Sequence, residues 1–130
     1  HDIDFSVLKP DPGLRDAIAR LRGRRIVYTN GSAPYARQVL QARGLDGLFD
    51  AVYGVEDAGY VPKPQAQAFA TVFGRDGLAP ERAAMFEDDP RNLKVPHALG
   101  MRTVLVTPEA ESHAHIHHHT ADLAGFLQEL

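Results

Sequence analysis

Apolar positions along the chain change spacing in a regular way. Leu14, Ile18 and Leu21 stand at i, i+4 and i+7, which predicts an amphipathic helix over about residues 11–22. Asp11 and Pro12 suit its first turn and Gly23 its end. The run from Arg25 to Thr29 reads as a buried strand. Ser32 and Pro34 open a second helix that carries Val39 and Leu40 and ends at Gly44. Ala51–Val55 is a short strand. Pro64 starts a third helix with Ala68, Phe69, Val72 and Phe73 inward, and Gly74 is expected to stop it. Ala83–Glu87 is the next strand. A helix over about residues 90–99 is expected to be irregular at Pro96, which lacks a backbone donor, and to end at Gly100. Arg102–Val106 is the last expected strand. Thr120 then caps a final helix with Leu123, Phe126, Leu127 and Leu130 on one face.

Helices of about 10 residues alternating with short apolar strands imply right-handed crossovers and a parallel sheet. The strand runs show no apolar/polar alternation, as expected when helices cover both faces. The expected fold is α/β: a three-layer sandwich around a parallel, Rossmann-like sheet of four strands, in a single domain over residues 1–130 with no internal repeat or long linker.

Composition narrows the function. The 130 residues are 44% hydrophobic and 24% charged, with a net charge of −3, a balance ordinary for a soluble globular domain. The isoelectric point near 6.1 argues against a nucleic-acid polymer or a membrane surface as partner, since both favour a basic excess. The chain holds no cysteine, which excludes disulfides, thiolate catalysis and zinc–thiolate sites and fits a cytoplasmic location. No stretch approaches the roughly 20 apolar residues of a membrane span. Residues 1–10 contain Asp2, Asp4 and Lys9 and do not resemble a signal peptide.

The chemistry-bearing residues follow apolar runs. In a parallel sheet strand ends line one crevice, where ligands bind. Glu87-Asp88-Asp89 closes one run, with Asn92 four residues beyond Asp88. Carboxylates with nearby oxygens suit magnesium, which keeps waters and takes few protein ligands. The plainer reading is that Asp88 or Asp89 caps the next helix. Thr29-Asn30-Gly31 closes another run and offers a hydroxyl, an amide and backbone N–H groups to phosphate oxygens. An ordinary strand-end turn would use the same residues. Lys63, boxed between Pro62 and Pro64, could neutralise a phosphoryl group and an aspartate. It could equally be a solvated loop lysine. Asp2-Ile3-Asp4-Phe5-Ser6 imitates an Asp-x-Asp nucleophile motif but has no strand before it, so Asp2 and Asp4 are not assigned to catalysis. His113, His115, His117, His118 and His119 read as a polar loop able to bind metal only adventitiously. Arg15, Arg20, Arg22, Arg24 and Arg25 read as a solvated helix face and turn.

Taken together, the segments His1–Phe5, Leu8–Pro12, Tyr28–Gly31, Val61–Pro64, Phe86–Leu93 and Ala98–Val106 resemble the haloacid dehalogenase superfamily. The resemblance lies nearest its pyrimidine 5′-nucleotidase-like phosphatases and runs along nearly the whole chain. It implies an aspartyl-phosphate pathway with magnesium as cofactor and a small phosphorylated substrate, a mononucleotide or another phosphomonoester. It makes Thr29 the second-motif phosphate ligand, with Asn30 and Gly31 beside it. Lys63 becomes the third-motif cation and Asp88 the fourth-motif magnesium ligand, supported by Asp89 and Asn92. Glu87 stands where the family often has Gly or Asp.

The family's first motif, which carries the nucleophile, and its helical cap precede a segment like residues 1–12. The chain therefore looks like the carboxy-terminal part of a longer enzyme. Its sheet is expected to lack the central strand, and the chain alone to be inactive. Two other functions compete. One is a non-catalytic module that binds phosphate, magnesium, or a second chain or segment completing the sheet. The other is a receiver-like phosphate-binding domain, but its usual motif order differs from Thr, Lys, then the acidic pair.

Overall fold

The structure, a computed structural model, describes residues 9–130. It divides into two compact units. The first reaches Glu56 and takes in Ala124–Leu130, and the second is Asp57–Leu123. The fold is α/β, and among the described residues every strand pairing is parallel, as the alternating pattern implied. The described strands form two hydrogen-bonded sheets, one of two strands and one of three.

In the first unit, α1 (Pro12–Ala19) starts at Asp11, whose carboxylate accepts from the Leu14 N–H at 3.1 Å. The helix is shorter than the 11–22 expected. Arg25 reaches back and donates to the Ile18 carbonyl at 2.6 Å, ending the helix a turn before Gly23. Arg15 likewise donates to the Gly44 carbonyl at 2.7 Å. Arg15 and Arg25 thus tie backbone together rather than simply facing solvent.

β1 (Ile26–Tyr28) pairs with β2 (Ala51–Tyr53) with Val27 opposite Val52. The crossover between them is α2 (Ala33–Ala42), capped by the Ser32 hydroxyl, which accepts from the Tyr35 N–H at 3.2 Å. Ala17, Ile18, Ala33, Ala36, Leu45, Leu48 and Leu127 are the buried apolar residues among those described in this unit.

In the second unit, β3 (Ala84–Glu87), β4 (Arg102–Val106) and β5 (His118–Thr120) lie in that order. Met85 faces Thr103, and Leu105 faces His119. α3 (Ala66–Asp76) buries Ala68, Phe69, Val72 and Phe73, the face its spacing predicted. It does not stop at Gly74. An interior glycine costs only roughly 1 kcal/mol relative to alanine, and Arg75 and Asp76 continue the turn after it. The stop comes at Gly77, whose φ of 78° lets its N–H return to the Phe73 carbonyl at 2.9 Å.

The expected helix over 90–99 is a 3-10 turn (Pro90–Leu93) followed by α4 (Lys94–Ala98). Its irregularity thus lies at the start. Pro96 sits in the first turn of α4, where a missing N–H costs little. The histidine run is not simply a loop, because His118–Thr120 is a fifth strand. Thr120 is its last residue rather than a plain helix cap. α5 (Leu123–Gln128), which belongs to the first unit from Ala124 onward, buries Leu127 while Leu130 stays exposed. Phe69, Val72, Leu93, Thr103, Val104 and Leu105 are fully buried in the second unit.

One glycine is dictated by close approach. A Cβ on Gly54 would collide with the Ala33 nitrogen and the Glu56 carboxylate, and would lie 2.8 Å from the Gly31 carbonyl oxygen. Gly54→Ala is expected to lower unfolding free energy by about 1–3 kcal/mol, since two of those atoms are backbone and cannot yield cheaply. Urea denaturation of both proteins measures this.

Candidate functional site

The sequence-predicted residues gather in two groups, one in each unit. In the first unit Thr29, Asn30 and Gly31 follow β1 and lead into α2. The Thr29 hydroxyl oxygen accepts from the Gly31 N–H at 3.1 Å. Its own proton therefore has no acceptor among the described residues, while the Gly31 donor is used inside the turn. The turn is fixed from the far side, because the Gly31 carbonyl accepts from the Val55 N–H at 2.9 Å. The Glu56 carboxylate accepts from the Ala33 N–H at 2.6 Å. Glu56 thus satisfies one of the open donors at the start of α2, where negative charge is favoured. The sequence reading missed this role. Its signal was faint, a carboxylate shortly after a strand end.

In the second unit Lys63, Glu87, Asp89 and Asn92 come together beside the end of β3. Lys63 is buried, at 7% exposure, so it is not a solvated loop lysine. Its ammonium donates to Glu87 Oε2 at 2.9 Å, with the two side chains 5% and 10% exposed. Glu87 Oε1 accepts from Asn92 Nδ2 at 3.2 Å, and Asn92 is itself buried. Glu87 is thus the hub that fixes Lys63 and Asn92. Sequence reasoning placed it only as a neighbour of Asp88. The usable signal was a carboxylate at the inner end of an apolar strand, which needs a cation partner if buried.

Asp88, the next residue, is exposed. Its carboxylate has no hydrogen-bond or ion-pair partner among the described residues. Asp89 caps the 3-10 turn after β3 by accepting from the Arg91 N–H at 3.0 Å. Its two oxygens also take the Arg91 guanidinium at 3.1 and 2.7 Å. Those hydrogen bonds hold the Asp89 carboxyl below the usual carboxylate range against a smaller opposing effect of burial, with Lys63 adding attraction. The capping role thus belongs to Asp89, and Asp88 is left over.

Three His, Cys, Asp or Glu side chains do not cluster as a metal site anywhere among the described residues. Magnesium needs less, since one or two carboxylates and several waters suffice. Asp88 fits that requirement, as an exposed carboxylate with nothing to displace. Asp89 has both oxygens on Arg91, and Asn92 gives its Nδ2 to Glu87, leaving its amide oxygen as a further donor atom. The histidines instead brace the backbone. His115 Nε2 lies 2.9 Å from the Pro90 carbonyl, and His119 Nε2 lies 2.9 Å from the Thr107 carbonyl. Asp2 and Asp4 lie outside the described residues. No helix among the described residues is long and apolar enough to cross a membrane.

Comparison with known proteins places the chain in a family. A family model described as haloacid dehalogenase-like hydrolase matches residues 3–100. The chain belongs to the haloacid dehalogenase-like hydrolases. Among solved structures it is similar to a dehalogenase with an intermediate complex, at 17% identity and a TM-score of 0.80, covering 97% of this chain and 58% of that one. A β-phosphoglucomutase-like protein from Thermotoga maritima gives 20% identity and a TM-score of 0.77, over 97% and 63% of the two chains. The hydrolase YfnB from Bacillus subtilis, solved bound to magnesium, gives 21% and 0.76, over 92% and 55%. At these identities the likeness is one of fold. The chain spans 55–63% of the length of these three structures. No curated protein sequence matches it significantly.

Two predictions follow from the geometry. Lys63→Met is expected to destabilise the protein by about 3–5 kcal/mol, because it strands a buried carboxylate. The double variant Lys63→Met/Glu87→Leu should recover much of that loss. Chemical denaturation of the two variants beside the parent protein decides it.

The Asp89 carboxyl is depressed in the folded state, so the unfolded chain binds its proton more readily. Its stabilisation is therefore full above the ordinary aspartate pKa and is lost as pH falls through the lowered value. Asp89→Asn should lower the melting temperature near neutral pH and leave it unchanged in strong acid, as thermal scans across that range would register.

Proposed function

We propose that the protein is a magnesium-dependent phosphomonoesterase that works through an aspartyl-phosphate, with pyrimidine mononucleotides as a candidate substrate class. In this reading residues 1–130 form one partial core domain. The aspartate nucleophile and the cap lie outside the segment, and another chain or segment completes the sheet. The expected location is the cytoplasm. The observation that carries the proposal is the end of β3. There a buried lysine is held on Glu87, next to Asp88, an exposed carboxylate without a protein partner among the described residues.

The roles follow from the chemistry of each group. The Thr29 hydroxyl, which accepts from the Gly31 N–H, keeps its proton to donate to a phosphoryl oxygen, with Asn30 alongside and Gly31 holding the turn. The Lys63 ammonium offsets the charge that grows on a transferring phosphoryl group. Such preorganised donors, set before reaction, supply much of the catalysis in phosphoryl transfer. Asp88 would hold magnesium, with Asn92 and Asp89 in support. When bound, the metal supplies Lewis-acid stabilisation of phosphate oxygens.

The test uses the full-length protein with a panel of phosphomonoesters that includes pyrimidine mononucleotides, assayed with magnesium and with chelator. Phosphate release that needs magnesium is the expected result. Asp88→Asn should lower turnover by about 100-fold or more with an unchanged melting temperature, because Asp88 supports no packing. Turnover that persists in chelator, or none on any phosphomonoester, overturns the proposal.

A further inference from the structure

We propose that His117 is a pH-sensitive latch, holding the segment that leads into β5 against β4 while its imidazole is neutral and releasing it on protonation. The contacts all centre on Thr103, a fully buried threonine in β4. The Thr103 backbone N–H donates to His117 Nδ1 at 3.0 Å. The His117 N–H is shared between the Thr103 hydroxyl and the Thr103 carbonyl, each at 3.1 Å. The Thr103 hydroxyl in turn donates to the His115 carbonyl at 2.7 Å. His117 Nδ1 must therefore be an acceptor. That fixes the neutral tautomer with its proton on Nε2.

Protonation turns Nδ1 into a donor facing the Thr103 N–H, while the Thr103 hydroxyl oxygen, 3.1 Å from Nδ1, already accepts from the His117 N–H. The Thr103 amide, at a fully buried residue, then has no acceptor on that side. The surroundings sharpen the conflict. Arg102 of β4, His97 of α4 with its ring centroid 5.0 Å away, and His118 of β5 are the charged or titratable groups acting on His117, and all are basic. Loss of hydration at the ring, then these three neighbours, push its pKa below the ordinary histidine value. The unfolded chain thus takes up the proton first. The latch contributes its stability in full above the ordinary value and loses it as pH falls through the lowered one.

The latch has a reach beyond its own strand. The Thr103 hydroxyl fixes His115, whose ring contacts the carbonyl of Pro90. Pro90 follows the acidic pair at the end of β3. Releasing the latch withdraws a brace from the loop after that strand. This rests on hydrogen-bond geometry alone and holds whether or not the protein hydrolyses phosphate.

The test is nitrogen and proton NMR on the full-length protein. The His117 ring is expected in the Nε2–H tautomer and to titrate below about 6.5. The exchange protection of the Thr103 amide, corrected for intrinsic rate, should fall by up to about tenfold per pH unit through the His117 titration. His117→Asn places a non-titrating acceptor near Nδ1, and should keep Thr103 protected across the same range. The Nδ1–H tautomer, titration at or above the ordinary value, or equal acid loss in His117→Asn would each overturn the latch.

Discussion

A single ion pair sets the terms for the second unit. Lys63 and Glu87 are both withdrawn from water, and neither could stay there alone without a large solvation penalty. Each therefore requires the other. Glu87 closes β3 and Lys63 belongs to the segment before α3, so the pair fixes how that segment meets the sheet. Asn92 on the second carboxylate oxygen extends the constraint into the turn after β3. With Glu87 committed, the next residue along the strand, Asp88, is left facing solvent.

The same logic of neighbouring carboxylates with different duties runs through Glu87, Asp88 and Asp89. One is buried on a lysine and one is exposed, while the third is clasped by Arg91. Only the exposed residue has a carboxylate available for a cation without breaking a protein contact. In the first unit the division is between neutral and charged groups. Ser32 and Glu56 satisfy donors at the start of α2, and Thr29 holds its own turn closed. Gly54 is the price of that crowding, since no side chain fits where β2 passes the turn.

The histidines illustrate how composition misleads. Five of them within seven residues suggest a metal, yet the described geometry turns three toward backbone carbonyls or an amide. They knit a parallel edge strand to β4 through Thr103, which is buried because its hydroxyl is used on both sides. A weakly hydrophobic stretch can join a sheet in this way when side-chain hydrogen bonds replace apolar burial.

Local physics made much of the chain legible from its sequence. The buried face of α3, the Ser32 cap, the strand Arg102–Val106 and the parallel α/β order all follow from spacing and capping chemistry. Thr29, Lys63 and Asp88 could be picked out as candidates because they come after apolar runs, but only the family resemblance gave them roles. Tertiary structure decided what spacing cannot encode. Gly74 stays helical and the helix ends only where Gly77 turns back onto the Phe73 carbonyl, and β5 joins β4 beside the hydrogen bonds between Thr103 and His117. Glu87 rather than Asp88 receives Lys63. Partner choice among adjacent charges depends on which side chain turns inward, and that is fixed only when distant segments pack.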